Sequence, residues 1–176
     1  MELETRRFGT IEVDDDEIYG VPTGIPGFPA LHRVTLLGAG PFDPNAPEGT
    51  SEHSLFWIQD LDDGDLAFLC VVPWVAFPDY EIDIDEKSLG IAEADVRILS
   101  LVTVHRTADT PHLTANLRAP LVVDVGRRRV QQVILSDSRW PIRAPFGVLP
   151  SSEPGPTERT RDESSAGNRS ETTAAV

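Results

Sequence analysis

A chain of 176 residues, 40% of them hydrophobic, can bury one core and is expected to form a single domain. Its 29 acidic against 15 basic side chains, a net charge of −14, argue against holding nucleic acid by neutralising phosphates. One cysteine, Cys70, rules out a disulfide framework within the chain, and no run reaches the roughly 18 apolar residues of a membrane helix. Met1 to Arg7 has no apolar stretch behind its charges, so the expectation is a soluble, cytoplasmic protein. The charge is unevenly spread: residues 1–95 carry 21 acidic and 4 basic side chains, residues 96–146 carry 3 and 8.

In chain order the dominant period is two. Short strands are expected around Leu3 and Ile11 and over residues 33–37. Residues 38–54 hold three prolines and three glycines and read as a long surface connection. The apolar runs 55–59 and 66–72 are joined by the acidic stretch 60–65, whose Asp63-Gly64 pair signals a hairpin. Pro73 and Pro78 then interrupt an apolar run from Leu66 to Tyr80, because each removes a backbone donor. Two short buried segments with a sharp corner follow, a bent β structure rather than a helix, with Cys70 a small buried hydrophobe inside it.

Beyond the corner, residues 80–84 alternate apolar with acidic as a strand with one wet face does, and residues 85–91, with Asp85 as N-cap, form the one expected helix. Residues 98–104, 121–125 and 130–135 are branched-rich strands. His105 and His112 flank a turn containing Pro111 and read as solvent-exposed. From Pro150 onward almost nothing apolar remains. The expected organisation is a folded body over 1–146 and a disordered tail over 147–176. The fold class is all-β: a small antiparallel barrel-like domain with one short helix.

No constellation for catalysis or metal binding emerges. The aspartates of 60–65 lack the closing glutamate and the glycine position of a calcium loop. The four histidines lack zinc spacing, no serine lies in a nucleophile elbow, and no phosphate loop is present. The reading is a non-enzyme with no cofactor and no metal. A nucleic-acid-binding small barrel is the alternative, for which Arg127-Arg128-Arg129 is the one basic cluster.

Eight strings in series carry a resemblance: Gly24-Ile25-Pro26-Gly27-Phe28, Phe56-Trp57-Ile58-Gln59, Leu66-Ala67-Phe68, Phe77-Pro78-Asp79-Tyr80, Val102-Thr103-Val104, Thr114-Ala115-Asn116-Leu117-Arg118-Ala119-Pro120, Gln132-Val133-Ile134-Leu135 and Pro141-Ile142-Arg143-Ala144-Pro145. Together they resemble the flagellar assembly factor FliW family from about Phe8 to Phe146. The resemblance implies a cytoplasmic, non-catalytic protein, a monomer when free. It implies binding to flagellin and, alternatively, to CsrA, the RNA-binding repressor of flagellin translation, whose repression it relieves without touching nucleic acid or membrane.

Partner contact is assigned to Asp79, Tyr80, Asn116 and Gln132. A tyrosine after Pro-Asp can present its ring while its hydroxyl is held, whereas Asn116 and Gln132 have an equal claim to satisfying buried backbone groups. Gly24 and Gly27 are expected to supply backbone angles, Phe28 and Phe77 to fill core, and Pro120 to end an edge.

Overall fold

The computed structural model describes residues 1–40, 54–82, 96–106, 112–136 and 139–148. A hairpin of β1 (Glu2–Thr5) and β2 (Gly9–Glu12) forms a separate two-stranded sheet. The remaining strands are β3 (Tyr19–Gly20), β4 (Arg33–Gly40), β5 (Leu55–Asp60), β6 (Ala67–Val71), β7 (Val96–His105), β8 (His112–Ala115), β9 (Leu121–Asp124), β10 (Arg129–Gln132) and β11 (Ala144–Val148). One helical turn, α1 (Pro73–Ala76), follows β6, and a 3-10 turn at Asp15–Glu17 precedes β3.

The length of β7 decides the architecture. Its first half pairs with β9, from Val96 opposite Asp124 to Leu99 opposite Leu121. Its second half pairs with β8, from Val102 opposite Ala115 to His105 opposite His112. The first half closes a ring of seven strands, β7-β6-β5-β4-β3-β10-β9 and back to β7, antiparallel except for the short β3–β10 contact. The second half leaves the ring and carries β8 and then β11 as a wing. The expected antiparallel barrel is present, with this extension.

Each region has its own core. Inside the ring, Val21, Ile25, Leu31, Val34, Ile58, Cys70, Leu99, Leu121, Val123 and Val130 pack together. Under the wing, Val71, Tyr80, Leu113, Ala115, Leu117, Leu135, Ala144 and Phe146 do so, with Phe77 and Trp140 against them. Full burial of one such Leu, Ile or Phe is worth about 1.5–3 kcal/mol, so each core contributes substantially to stability. Cys70 is wholly buried, and burial pushes its thiol pKa far up, which makes it inert.

Gly24 turns the chain between β3 and β4 with φ +68°, where a Cβ would lie 2.8 Å from the Phe28 carbonyl oxygen. Gly24 and Gly27 thus supply the expected backbone angles. Phe28 departs from expectation: it is 40% exposed and makes a T-shaped contact with Phe68, at 4.8 Å between centroids.

The proline-broken corner needs a further correction. Pro73 does end the β6 ladder, but it occupies the first position of a helical turn, where a missing N–H costs nothing, and the Phe77 amide donates to its carbonyl at 2.8 Å. The corner is therefore one turn of helix and not bent β. The helix expected at 85–91 lies outside the described residues, and residues 80–82 are not strand.

Other boundaries move as well. Gly38–Gly40 belong to β4, opposite Phe56 and Leu55 through an irregularity, so the expected loop begins later; residues 41–53 lie outside the described residues. Residues 133–135 leave the strand geometry of β10 yet still donate, Val133 to the Pro120 carbonyl and Leu135 to that of Arg118, both at 2.9 Å. His105 and His112 are half-buried rather than simply exposed; their rings stack at 4.6 Å.

Candidate partner-binding surface

Tyr80 is 1% exposed, which corrects the expectation that its ring is presented to a partner. The turn after α1 brings it inward, its amide donating to the Phe77 carbonyl at 2.9 Å. Its hydroxyl donates to the Leu117 carbonyl at 2.8 Å, and its ring makes T-shaped contacts with Trp74 (5.9 Å) and Trp140 (4.8 Å between centroids). Burial also raises the phenol pKa well above its ordinary value. Asp79 beside it is exposed.

Asn116 and Gln132 act on the same stretch of backbone. The Asn116 Oδ1 accepts from the Ala119 amide at 3.0 Å, while Gln132 Nε2 donates to the Ala119 carbonyl at 2.8 Å. The Leu117 amide in turn donates to the Pro141 carbonyl. Three of the four residues singled out from sequence thus converge on one irregular segment, 116–119, which has left β8 and must find partners for its polar groups off the ladder. Pro120, buried, leads that segment into β9.

What this framework holds out to solvent is apolar. Trp74 is 40% and Val75 45% exposed on α1, next to Asp79, while Ile134 and Ile142 flank the braced segment at 69% and 61%. Sequence reasoning missed all four. The available signal was Trp74 behind Pro73: a proline-started helix of one turn has too few positions to turn every apolar side chain inward. Trp140 extends the row with its Nε1 donating to the Glu81 carbonyl at 2.8 Å.

Charge around the barrel mouth is largely consumed internally. In the β5–β6 loop, Asp60 Oδ1 accepts from the Asp62 amide and Asp63 Oδ1 from the Asp65 amide. Asp62 pairs with Arg33, whose hydrogen bond holds the carboxyl below the usual carboxylate range. Arg127 pairs with the buried Asp124 at 3.2 Å. Among the described residues no group of three or more His, Cys, Asp or Glu side chains could hold a metal ion, and no helix is long and apolar enough to cross a membrane.

The family model described as FliW protein matches residues 2–146, the barrel and most of the wing. The chain belongs to the FliW family. The flagellar assembly factor FliW of Treponema denticola is 35% identical over 144 residues, covering 80% of this chain and 89% of that protein. Its counterpart from Syntrophus aciditrophicus is 33% identical over 157 residues, covering 87% and 90%. A crystal structure of the flagellar assembly factor FliW superimposes with a TM-score of 0.69 at 30% identity, covering 84% of this chain and 98% of the other. The family consists of assembly factors, so this chain is one and not an enzyme.

Proposed function

We propose that this family member binds flagellin and, alternatively, the translational repressor CsrA, relieving repression of flagellin translation from the cytoplasm. Membership of the flagellar assembly factor family carries the reading. The net charge of −14 supports it, because a strongly acidic protein seated beside a basic RNA-binding repressor disfavours the approach of phosphates. Exclusive binding of the two partners requires a shared surface or two states of different affinity. Our assignment for the shared contact moves from Tyr80 to what Tyr80 supports: Trp74 and Val75, with Asp79 at their margin. Exposed aromatics on a well-braced base are the side chains that dominate interface energies.

Competition pull-downs test this reading. Excess flagellin is expected to displace CsrA from a preformed complex; a stable ternary complex would defeat the switch. Association with CsrA should slow with added salt, since attraction is screened over roughly 8 Å at physiological ionic strength. The protein alone should leave flagellin leader RNA unshifted, and a salt-sensitive micromolar complex would favour the nucleic-acid-binding barrel instead. Trp74→Ala should weaken at least one complex by about 2 kcal/mol with the fold intact. We further propose that the functional body ends with β11, which runs two residues past the expected boundary at Phe146. Truncation after Val148 should then leave melting temperature and both affinities unchanged.

A further inference from the structure

A second site lies at the β1–β2 turn and uses none of the aromatic row. There Arg6 and Arg7 face Asp65 of the β5–β6 loop across a cleft of about 430 Å³, a volume within the range of small-ligand and peptide side-chain pockets. The walls are held rigidly. The Arg6 amide donates to the Gly64 carbonyl at 3.1 Å, and the backbones approach so closely that a Cβ on Gly64 would lie 2.1 Å from the Glu4 carbonyl oxygen. Behind the loop, wholly buried Gln59 places its Nε2 within reach of the carbonyls of Asp60 and Leu66, at 2.9 and 3.0 Å.

The arginines are the unexpected part. Residues 1–95 carry 21 carboxylates, yet among the described residues neither Arg6 nor Arg7 has an ion-pair partner. Apart from Asp65 across the cleft, the neighbouring carboxylates are engaged elsewhere: Asp62 by Arg33, Asp60 and Asp63 by backbone amides, Glu4 by the Thr10 hydroxyl. Arg7 is instead laid over Trp57, 4.1 Å from the ring centroid, with Phe8 against the same ring at 5.9 Å. The position over the ring anchors the cation, and among the described residues no hydrogen-bond partner takes up its N–H groups, which suit a planar, bidentate acceptor.

We propose that this cleft binds a carboxylate-bearing peptide segment of a protein partner, with Arg6 and Arg7 taking the carboxylate and Asp65 accepting an adjacent peptide N–H. The lone Asp65 among two arginines suits such a ligand, which offers an acceptor and a donor side by side. A polyanion fits poorly, because the cleft's positive excess is one charge and the loop behind it holds three further aspartates.

The test is an NMR titration of the ¹⁵N-labelled full chain with the blocked peptide Ac-Gly-Glu-Gly-Glu-Gly-NH₂, its Gln counterpart, and an oligouridylate. The Glu peptide is expected to give saturable shifts of the Trp57 indole N–H and the Arg6 and Arg7 Nε–H signals. Arg6→Gln and Arg7→Gln should each weaken binding about tenfold, the loss of one charge-assisted hydrogen bond. Arg6→Gln leaves the Trp57 stack in place, so it reads the site even if Arg7→Gln unseats the hairpin. Equal shifts from the Gln peptide, no shifts, or a tighter response to the oligouridylate would each overturn the assignment.

Discussion

The seven-strand ring and the wing solve the same problem with different side chains. The ring closes on itself, so its interior is lined from all sides and aliphatic residues suffice; no aromatic side chain is among its fully buried members. Among the described residues β11 is the edge strand of the wing, which is sealed by large rings: Tyr80 between Trp74 and Trp140, and Phe77 against Phe146 at 5.8 Å. That edge is blunted by Pro145, and by an irregularity between Phe146 and Val148 at Gly147, whose φ is +63°. Closure makes the ring a scaffold. Incomplete cover leaves most of the exposed large apolar side chains, Trp74, Val75, Ile134 and Ile142, around the wing, with Phe28 an exception beside the ring.

The comparison breaks most sharply at Tyr80. Tyr80→Ala should cost about 3–5 kcal/mol, as for other large buried aromatics, and hydrogen exchange should rise in β8 and β11 before β4 and β5. Uniform loss of protection would mean that ring and wing are one cooperative unit. Within the ring, Gly24→Ala forces a Cβ against the Phe28 carbonyl at a positive φ and should cost about 1–3 kcal/mol by denaturant melts, with the Trp74–Tyr80 contact undisturbed. Tyr80→Phe keeps the ring contacts and deletes only the bond to Leu117; about 1 kcal/mol is expected, and partner binding should survive.

The smallest effect belongs to the exposed Arg33–Asp62 pair. Because Arg33 lowers the Asp62 pKa, the pair's contribution is complete above the ordinary carboxylate pKa and is lost as pH falls through the lowered value. Arg33→Ala should therefore differ slightly from the parent in melting temperature at neutral pH and converge with it in acid. A gap that widened in acid would show the sign to be wrong.

Most of the ring was legible because six of its seven strands carry their own signal, such as the apolar runs at 55–59 and 98–104 with Asp63-Gly64 between β5 and β6; the two-residue β3 carries none and is a strand only through its neighbours β4 and β10. The β11 strand escaped because Ala144-Pro145-Phe146-Gly147 has neither alternation nor branched residues; it is a strand through pairing with β8. The candidate surface was half legible. Asn116 and Gln132 were equally readable as backbone partners, and in the structure both bond to Ala119; Tyr80 was read with the wrong exposure, since its ring is buried.

Local chemistry alone determined the β class, most strand runs of the ring, the proline stop after β6 and the glycine turn at 24–27, since these depend on neighbours in the chain; the family was legible only as a resemblance of eight strings spread along the body. Tertiary structure decided that β7 serves two sheets, that Tyr80 faces inward, and that Trp74 and Val75 face out. The stacking of Arg7 on Trp57, fifty residues away, was equally beyond local reading. Burial is a property of what arrives from elsewhere in the chain, and a one-turn helix or an irregular segment has no periodicity with which to announce it.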